Sequence, residues 1–369
     1  MSETANDEPL HVLAADRLPA VALRSVMLTG LFLLALAFTL RLARDFFLPL
    51  ILAFFLSFLL RPVLRMLNSV HIPDAIGAAL LLLAVVGGVG LGVYSLVTPA
   101  ASWLAKAPES VTRIQSKLRT LRRPMEQMNR TADQVERTMA GDSSTSPISN
   151  VKSPAWIEHA LFGGTTAFLS EAIVVIVLLY FLLASGDLFL RKLIKALPTF
   201  KDKKRAVEIA REVENNISNY LFTVTLINIG AGATVTLGLW VVGMPNPVLW
   251  GVLACVLTYV PYLGAMVGIA ILSLAAALAF DDLGHCIAVP AVYLLVSFVE
   301  GNFITPLVLG RRLTLNPVVI FVGLLFWFFL WGIPGAILAV PILAVFKIVC
   351  DHVDALTPIG EFFGPADAV

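Results

Sequence analysis

The chain has 369 residues, 58% of them hydrophobic and only 14% charged, with a mean hydropathy of +0.88 and a formal net charge of +1. A soluble domain carries about 25% charged residues, so this apolar surplus needs lipid as its solvent, and lipid is the first partner implied. A nearly neutral chain offers no general electrostatic attraction for nucleic acid.

Residues 1–19 are polar and acidic and lack the positive segment that begins a cleavable signal peptide. With the stretch to residue 100 they form an N-terminal unit of a tail and three transmembrane helices, on apolar zones 20–40, 46–64 and 75–100. A helix needs about 20 apolar residues to cross a hydrocarbon core of about 30 Å. The first two zones are short unless Arg24 and Arg61 snorkel to the interfaces.

Residues 101–155 read as a small helical extramembrane domain. Val111, Ile114, Leu118, Leu121, Met125, Met128, Ala132, Val135 and Met139 alternate at spacings of three and four, an a/d register, with Pro124 expected to kink it. The pattern fits an amphipathic helix pair folded onto its own membrane domain or a seam between subunits. GDSSTSPISN, 141–150, reads as a linker. A fourth helix occupies 156–184, with its apolar zone at 160–184 and Glu171 about ten residues in. Residues 185–219 form a basic amphipathic connector suited to lying on a membrane surface. The Lys/Arg bias places the N-terminus in the cytoplasm, although the basic residues of 101–155 argue the other way.

Residues 220–350 form the predicted transport core, on zones 220–242, 247–280, 283–309 and 316–350, followed by a tail at 351–369. The zones 247–280 and 316–350 would each be about 51 Å long as straight helices, well beyond a bilayer core. Each begins Asn-Pro-Val, at Asn246 and Asn316, and each has a break near its middle: Tyr259, Pro261, Tyr262 and Gly264 in one, Gly332, Pro334 and Gly335 in the other. Each is either a kinked span or a re-entrant hairpin; placing Arg311 and Arg312 inside favours hairpins opening to opposite sides. Paired broken helices point to a transporter site, and irregular backbone at that depth must be buried in protein or line a cavity. The fold class is therefore all-α: a polytopic membrane protein with about eight hydrophobic zones, two of them broken or re-entrant hairpins.

Glu300 lies within the apolar run 291–310, where a carboxylate costs at least about 2.5–3.5 kcal/mol to insert. Asn302 and Thr305 add polar groups beside it, and Pro306 loosens the helix. Glu300 is either a coupling carboxylate or a structural one that locks two helices together. Asn228 lies among Gly230 and Gly232, where close helix packing is the plainer role. Phosphate-loop, zinc-protease, nucleophile-elbow and dinucleotide motifs are all missing. Cys255, Cys286 and Cys350 stand far apart, and the histidines are scattered, so no cofactor or metal is expected and the chain does not read as an enzyme.

The runs PNPVLWG…TYVPYLGA, EGNFITPLVLGRRLTLNPVV and WGIPGAILAVPILAVFKIV, with YFLLASGD at 180–187, resemble the autoinducer-2 exporter-like permease family of bacteria. The resemblance implies an inner-membrane permease and a homo-oligomer, with a pentamer as one form. It also implies a small-molecule or ion substrate, since members have been linked to autoinducer-2 export and to sodium/proton antiport. The family motif falls on Pro261, Tyr262, Gly264, Glu300, Asn302, Thr305, Pro306, Asn316, Pro317, Gly332, Gly335 and Pro341. Ala265 stands where many relatives have proline, and Thr223 and Val224 stand where a Gly-Gln pair is usual. The reading is a secondary transporter driven by a proton or sodium gradient, with a passive channel or a non-transporting scaffold as alternatives.

Overall fold

A computed structural model describes residues 20–133, 165–186, 188–196, 198–309, 315–353 and 356–364, and among these the regular structure is entirely helical. The 141–150 linker, Arg311 and Arg312 lie outside the described residues. Helices α1 (Ala20–Leu42) and α2 (Arg44–Ser69) are followed by α3 (Asp74–Asp133), α4 (Thr165–Ala184), α5 (Leu188–Ala196) and α6 (Phe200–Val241). Then come α7 (Pro247–Leu257), α8 (Leu263–Ala279), α9 (Leu283–Val299), a π turn at Glu300–Ile304 and α10 (Thr305–Leu309). The chain closes with α11 (Pro317–Trp331), α12 (Ile333–His352) and α13 (Thr357–Phe363).

Among the described residues, five helical stretches are long and apolar enough to cross a membrane: Arg44–Ser69, Asp74–Ala105, Lys203–Val241, Leu283–Leu309 and Ile333–His352. Five shorter apolar helices accompany them, and together they account for the eight zones. The protein is a multi-pass membrane protein. Helices α3 and α6 run through the composition changes at 100/101 and 219/220, α3 from an apolar stretch into a polar one and α6 from a polar stretch into an apolar one. A helix needs only its own backbone hydrogen bonds to continue, so a change of solvent along its length does not end it. The 351–369 tail contains α13, whose Phe363 ring lies 5.2 Å from Phe346 and whose Phe363 carbonyl accepts from the Asn316 amide at 3.1 Å.

Small residues set the closest packing. Ala53 of α2 and Ala78 of α3 are fully buried in one core with Leu179 and Leu183 of α4. A Cβ on Gly232 of α6 would lie 2.7 Å from the Gly251 carbonyl of α7, and one on Gly251 would lie 2.5 Å from the Gly232 carbonyl. Gly232 thus serves the close approach expected of it, whereas nothing stands within 4 Å of a Cβ on Gly230.

Helices α2 and α6 run antiparallel. Pro62 has no N–H to give the Phe58 carbonyl, and the buried Ser218 hydroxyl of α6 donates to that carbonyl at 2.7 Å. One turn further on, Arg61 and Arg65 both reach Glu214 at 2.5 Å. His352, at the end of α12, lies 3.1 Å from Glu212, so α12 ends beside the same basic end of the bundle. The turn from α6 to α7 lies at the opposite end.

Zones 247–280 and 316–350 are helical hairpins. In a continuous helix, residues seven or eight apart are separated by about 10–12 Å. Here a Cβ on Gly264 would fall 1.8 Å from the Leu257 carbonyl oxygen, and one on Gly335 would fall 2.1 Å from that of Trp327. Both chains have therefore doubled back. The first hairpin opens at the α6–α7 turn and the second at the His352 end, so they open toward opposite ends. Val260 and Leu263 at the tip of the first pack against Leu324, Ala336 and Ala339 in the flank of the second. At 11 residues, α7 is about 16 Å long, too short to cross a bilayer core. Asp282 caps α9 by accepting from the His285 amide at 3.0 Å, and the His285 ring and amide hold its carboxyl down at about 2.

Because glycine at 264 is a steric requirement, Gly264→Ala is expected to destabilise the protein by about 1–3 kcal/mol or more, seen as a lower thermal midpoint in detergent or as loss of monodisperse protein. Gly230→Ala, which meets open space, is expected to leave the midpoint in place. Equal behaviour of the two variants would contradict the hairpin geometry.

Candidate functional site

The tip of the first hairpin meets α6 and α9 near the middle of the bundle. The Tyr259 hydroxyl donates to Thr225 Oγ1 of α6 at 2.8 Å. Along α6, Thr225 stands about 16 Å from Glu214 at the basic end and about 24 Å from Val241 at the other. Asn228, one turn from Thr225, is 1% exposed and lies near the Tyr259 hydroxyl, but its Nδ2 makes no well-formed hydrogen bond among the described residues. A buried donor left unpaired costs about 1–3 kcal/mol, so the amide carries a cost that packing alone does not explain.

Helix α9 supplies the second half. The buried Tyr293 hydroxyl donates to the Gly264 carbonyl at 3.3 Å, and the Ser297 side chain also bonds Tyr293. Gly264 therefore does two things: it lets the hairpin close, and it presents its carbonyl to α9. Gly268 leaves room for the Tyr293 ring, since a Cβ there would lie 2.2 Å from the hydroxyl. Tyr293, Ser297 and Glu300 share one helical face at i, i+4 and i+7.

At Glu300 the α-helix widens into a π turn, a local form frequent at functional sites. The Thr305 amide donates to the Glu300 carbonyl across five residues, and the Thr305 hydroxyl donates to Glu300 Oε1 at 2.6 Å. Pro306 cannot donate to the Asn302 carbonyl, which removes one reason for regular α geometry there. The Glu300 side chain is half-buried, and among the described residues no basic side chain pairs with it. The antiparallel pairing of α6 and α9, with Gly238 against Val292, brings the π turn opposite the stretch of α6 around Gly230, and the turn and α10 pack on α6.

The other sequence-selected residues divide. Gly332, at φ 68°, and Pro334 shape the second hairpin's tip, where Trp331 Nε1 donates to the Leu40 carbonyl of α1 at 3.0 Å. Gly335 lets that hairpin close, as Gly264 does the first. Asn316 stands at the second hairpin's open end, a whole helix from its tip, and caps α11 by accepting from the Val318 amide at 2.9 Å. Tyr262 is exposed with φ 62°, so its part in the hairpin is backbone geometry. Asn302 is exposed and bonds back to the Phe298 carbonyl. Glu171 sits on α4, whose neighbours are α2 and α3. Thr225, Tyr293 and Ser297 were not singled out from sequence. The i, i+4, i+7 spacing with Glu300 is the signal that shows the last two.

The profile of the AI-2E family transporters matches residues 30–355. This chain belongs to that family. The AI-2 transport protein TqsA of Escherichia coli is 25% identical over 333 residues, covering 89% of this chain and 92% of its own. YrrI of Bacillus subtilis, a candidate transport protein by name, is 27% identical over 325 residues, with 84% and 87% covered. YhhT of Escherichia coli, named in the same way, is 36% identical over 149 residues, covering 40% of this chain and 42% of its own. For an AI-2E family member, the hairpin tip and the π turn form the candidate transport site.

Asn228→Ala removes the unpaired amide without adding bulk to a buried site. It is expected to hold the thermal midpoint in detergent, because the about 1–3 kcal/mol of unmet desolvation that is relieved offsets the lost packing. A fall of several degrees would show that the amide has a structural partner.

Proposed function

We propose that the protein is a secondary transporter of a small polar solute, driven by a proton or sodium gradient, with Glu300 as the coupling carboxylate. One observation carries the reading. A carboxylate in the middle of an apolar helix sits on a π turn, gripped by Thr305 and aligned through Ser297 and Tyr293 with the tip of a broken hairpin. An intramembrane carboxylate is costly to keep unless it is used, and oppositely opening hairpins suit alternating access around a midplane site. The N-terminal helices α1 to α4 would be the scaffold against which the hairpin unit moves. The basic end, with Arg61, Arg65 and the connector, would face the cytoplasm of a bacterial inner membrane, putting the N-terminus inside. TqsA carries AI-2 transport in its name, which makes autoinducer-2 the first solute to test here.

Purified protein in liposomes, given autoinducer-2 and a panel of small polar metabolites under imposed proton or sodium gradients, tests this. Wild type is expected to show gradient-dependent flux, and Glu300→Gln to reduce it to background while eluting as folded protein. Undiminished gradient-dependent flux in Glu300→Gln would remove the carboxylate from the mechanism. Wild-type flux that ignores both gradients would make the protein a passive channel.

A further inference from the structure

At the basic end of the bundle, two adjoining cavities of about 380 and 360 Å³ lie between α2, α5 and α6. Both are lined by Arg65, Arg191 and Glu214; Arg61 and Asp74 join the first, and Arg211 joins the second. Four guanidinium groups thus face two carboxylates. Glu214 Oε1 already takes both Arg61 and Arg65, and Asp74 Oδ1 accepts from Asn68. Arg191 and Arg211 line the space with no ion pair among the described residues. Such a cluster is held together against its own repulsion, and the cavity between its members is the place for an anion. Guanidinium forks match phosphate oxygens two at a time.

We propose that these cavities bind a phosphate group, carried either by an anionic phospholipid or by a water-soluble phosphate ester. Arg191 and Arg211 are the residues that add the site to the existing Glu214 ion pairs. On the rim of the first cavity, the half-exposed Leu188 suits the glycerol and acyl portion of a lipid. The basic, leucine-containing α5 on the same rim is the kind of helix that lies on an anionic membrane surface. The site stands apart from the hairpin tip and is independent of what the transporter carries.

The test uses full-length, delipidated protein in detergent, comparing wild type with Arg191→Gln/Arg211→Gln. Neither arginine has an ion pair among the described residues, and monodisperse elution checks the fold. Binding of phosphatidylglycerol, phosphatidylcholine and glycerol phosphate is read by native mass spectrometry and thermal shift. Wild type is expected to prefer phosphatidylglycerol, and the double variant to bind it about tenfold more weakly or worse, as loss of charge-assisted hydrogen bonds implies. Arg191→Lys/Arg211→Lys should be intermediate, keeping charge without the fork. If glycerol phosphate stabilises wild type alone and no lipid preference appears, the site takes a free phosphate ester. Phosphatidylglycerol binding equal in wild type and the double glutamine variant, or no phosphate-dependent binding by wild type, overturns the proposal.

Discussion

A chain in hydrocarbon must satisfy its backbone N–H and C=O groups from within, and the architecture follows from how each interruption of a helix meets that demand. Pro62 frees the Phe58 carbonyl, and the Ser218 hydroxyl takes it. The end of α1 exposes the Leu40 carbonyl, and the Trp331 indole takes it. The π turn replaces an α bond with one from the Thr305 amide to the Glu300 carbonyl. In the first two cases the satisfying group comes from a distant helix. The bonds therefore do more than relieve a local deficit: they fix α2 against α6 and the second hairpin's tip against α1.

The two hairpins reach the same result by different local means. At the second, Gly332 takes the positive φ, so the reversal carries no side-chain penalty. At the first, Tyr262 takes it at φ 62° and ψ −54°, a tight turn in which the Leu263 amide donates to the Pro261 carbonyl, a rare and strained conformation that costs about 1–3 kcal/mol. The helix starts differ too. Asn316 is extended and caps α11, whereas Asn246 is left-handed with no side-chain cap. The Asn-Pro-Val repeat thus marks where a helix starts without dictating how the chain approaches it. The strained tip is also the one that touches Thr225, Asn228 and α9, where retained strain is most often functional.

Hydropathy made the eight zones legible, because an apolar run of sufficient length has few other solutions. The hairpins were legible from excess length combined with a Pro-Gly break. Composition was a poor guide to helix ends: α3 and α6 continue past the points where it changes, since hydrogen bonding and not polarity terminates a helix. Glu300 was visible because a charge in an apolar run stands out. Tyr293, Ser297 and Thr225 were not, because single hydroxyls are common in membrane helices and only the fold shows which carbonyl or hydroxyl they face. Asn316 has the same composition signal as Asn228, yet one is a helix cap and the other a buried amide whose Nδ2 makes no well-formed hydrogen bond among the described residues. That difference is one of depth and neighbours, which one-dimensional patterning does not encode.

The distribution of charge bears on how the proposed coupling would work. Arg61, Arg65 and Glu214 are gathered at one end of α6, while the level of the hairpin tip and the π turn is about 16 Å further along that helix. Across such a distance, a unit charge at an effective dielectric of about 20 is worth about 1 kcal/mol. That is well below the about 2.5–3.5 kcal/mol that a carboxylate costs at a helix centre. The arginines therefore do little for Glu300, and Thr305 offers it a neutral hydrogen bond in place of a fixed countercharge. A carboxylate left in that position draws its compensating charge from whatever reaches it. If the visitor is a proton or a sodium ion, occupancy of Glu300 and the free energy of the surrounding helices change together. That linkage is what a gradient-driven carrier requires and what a permanently paired glutamate would lack.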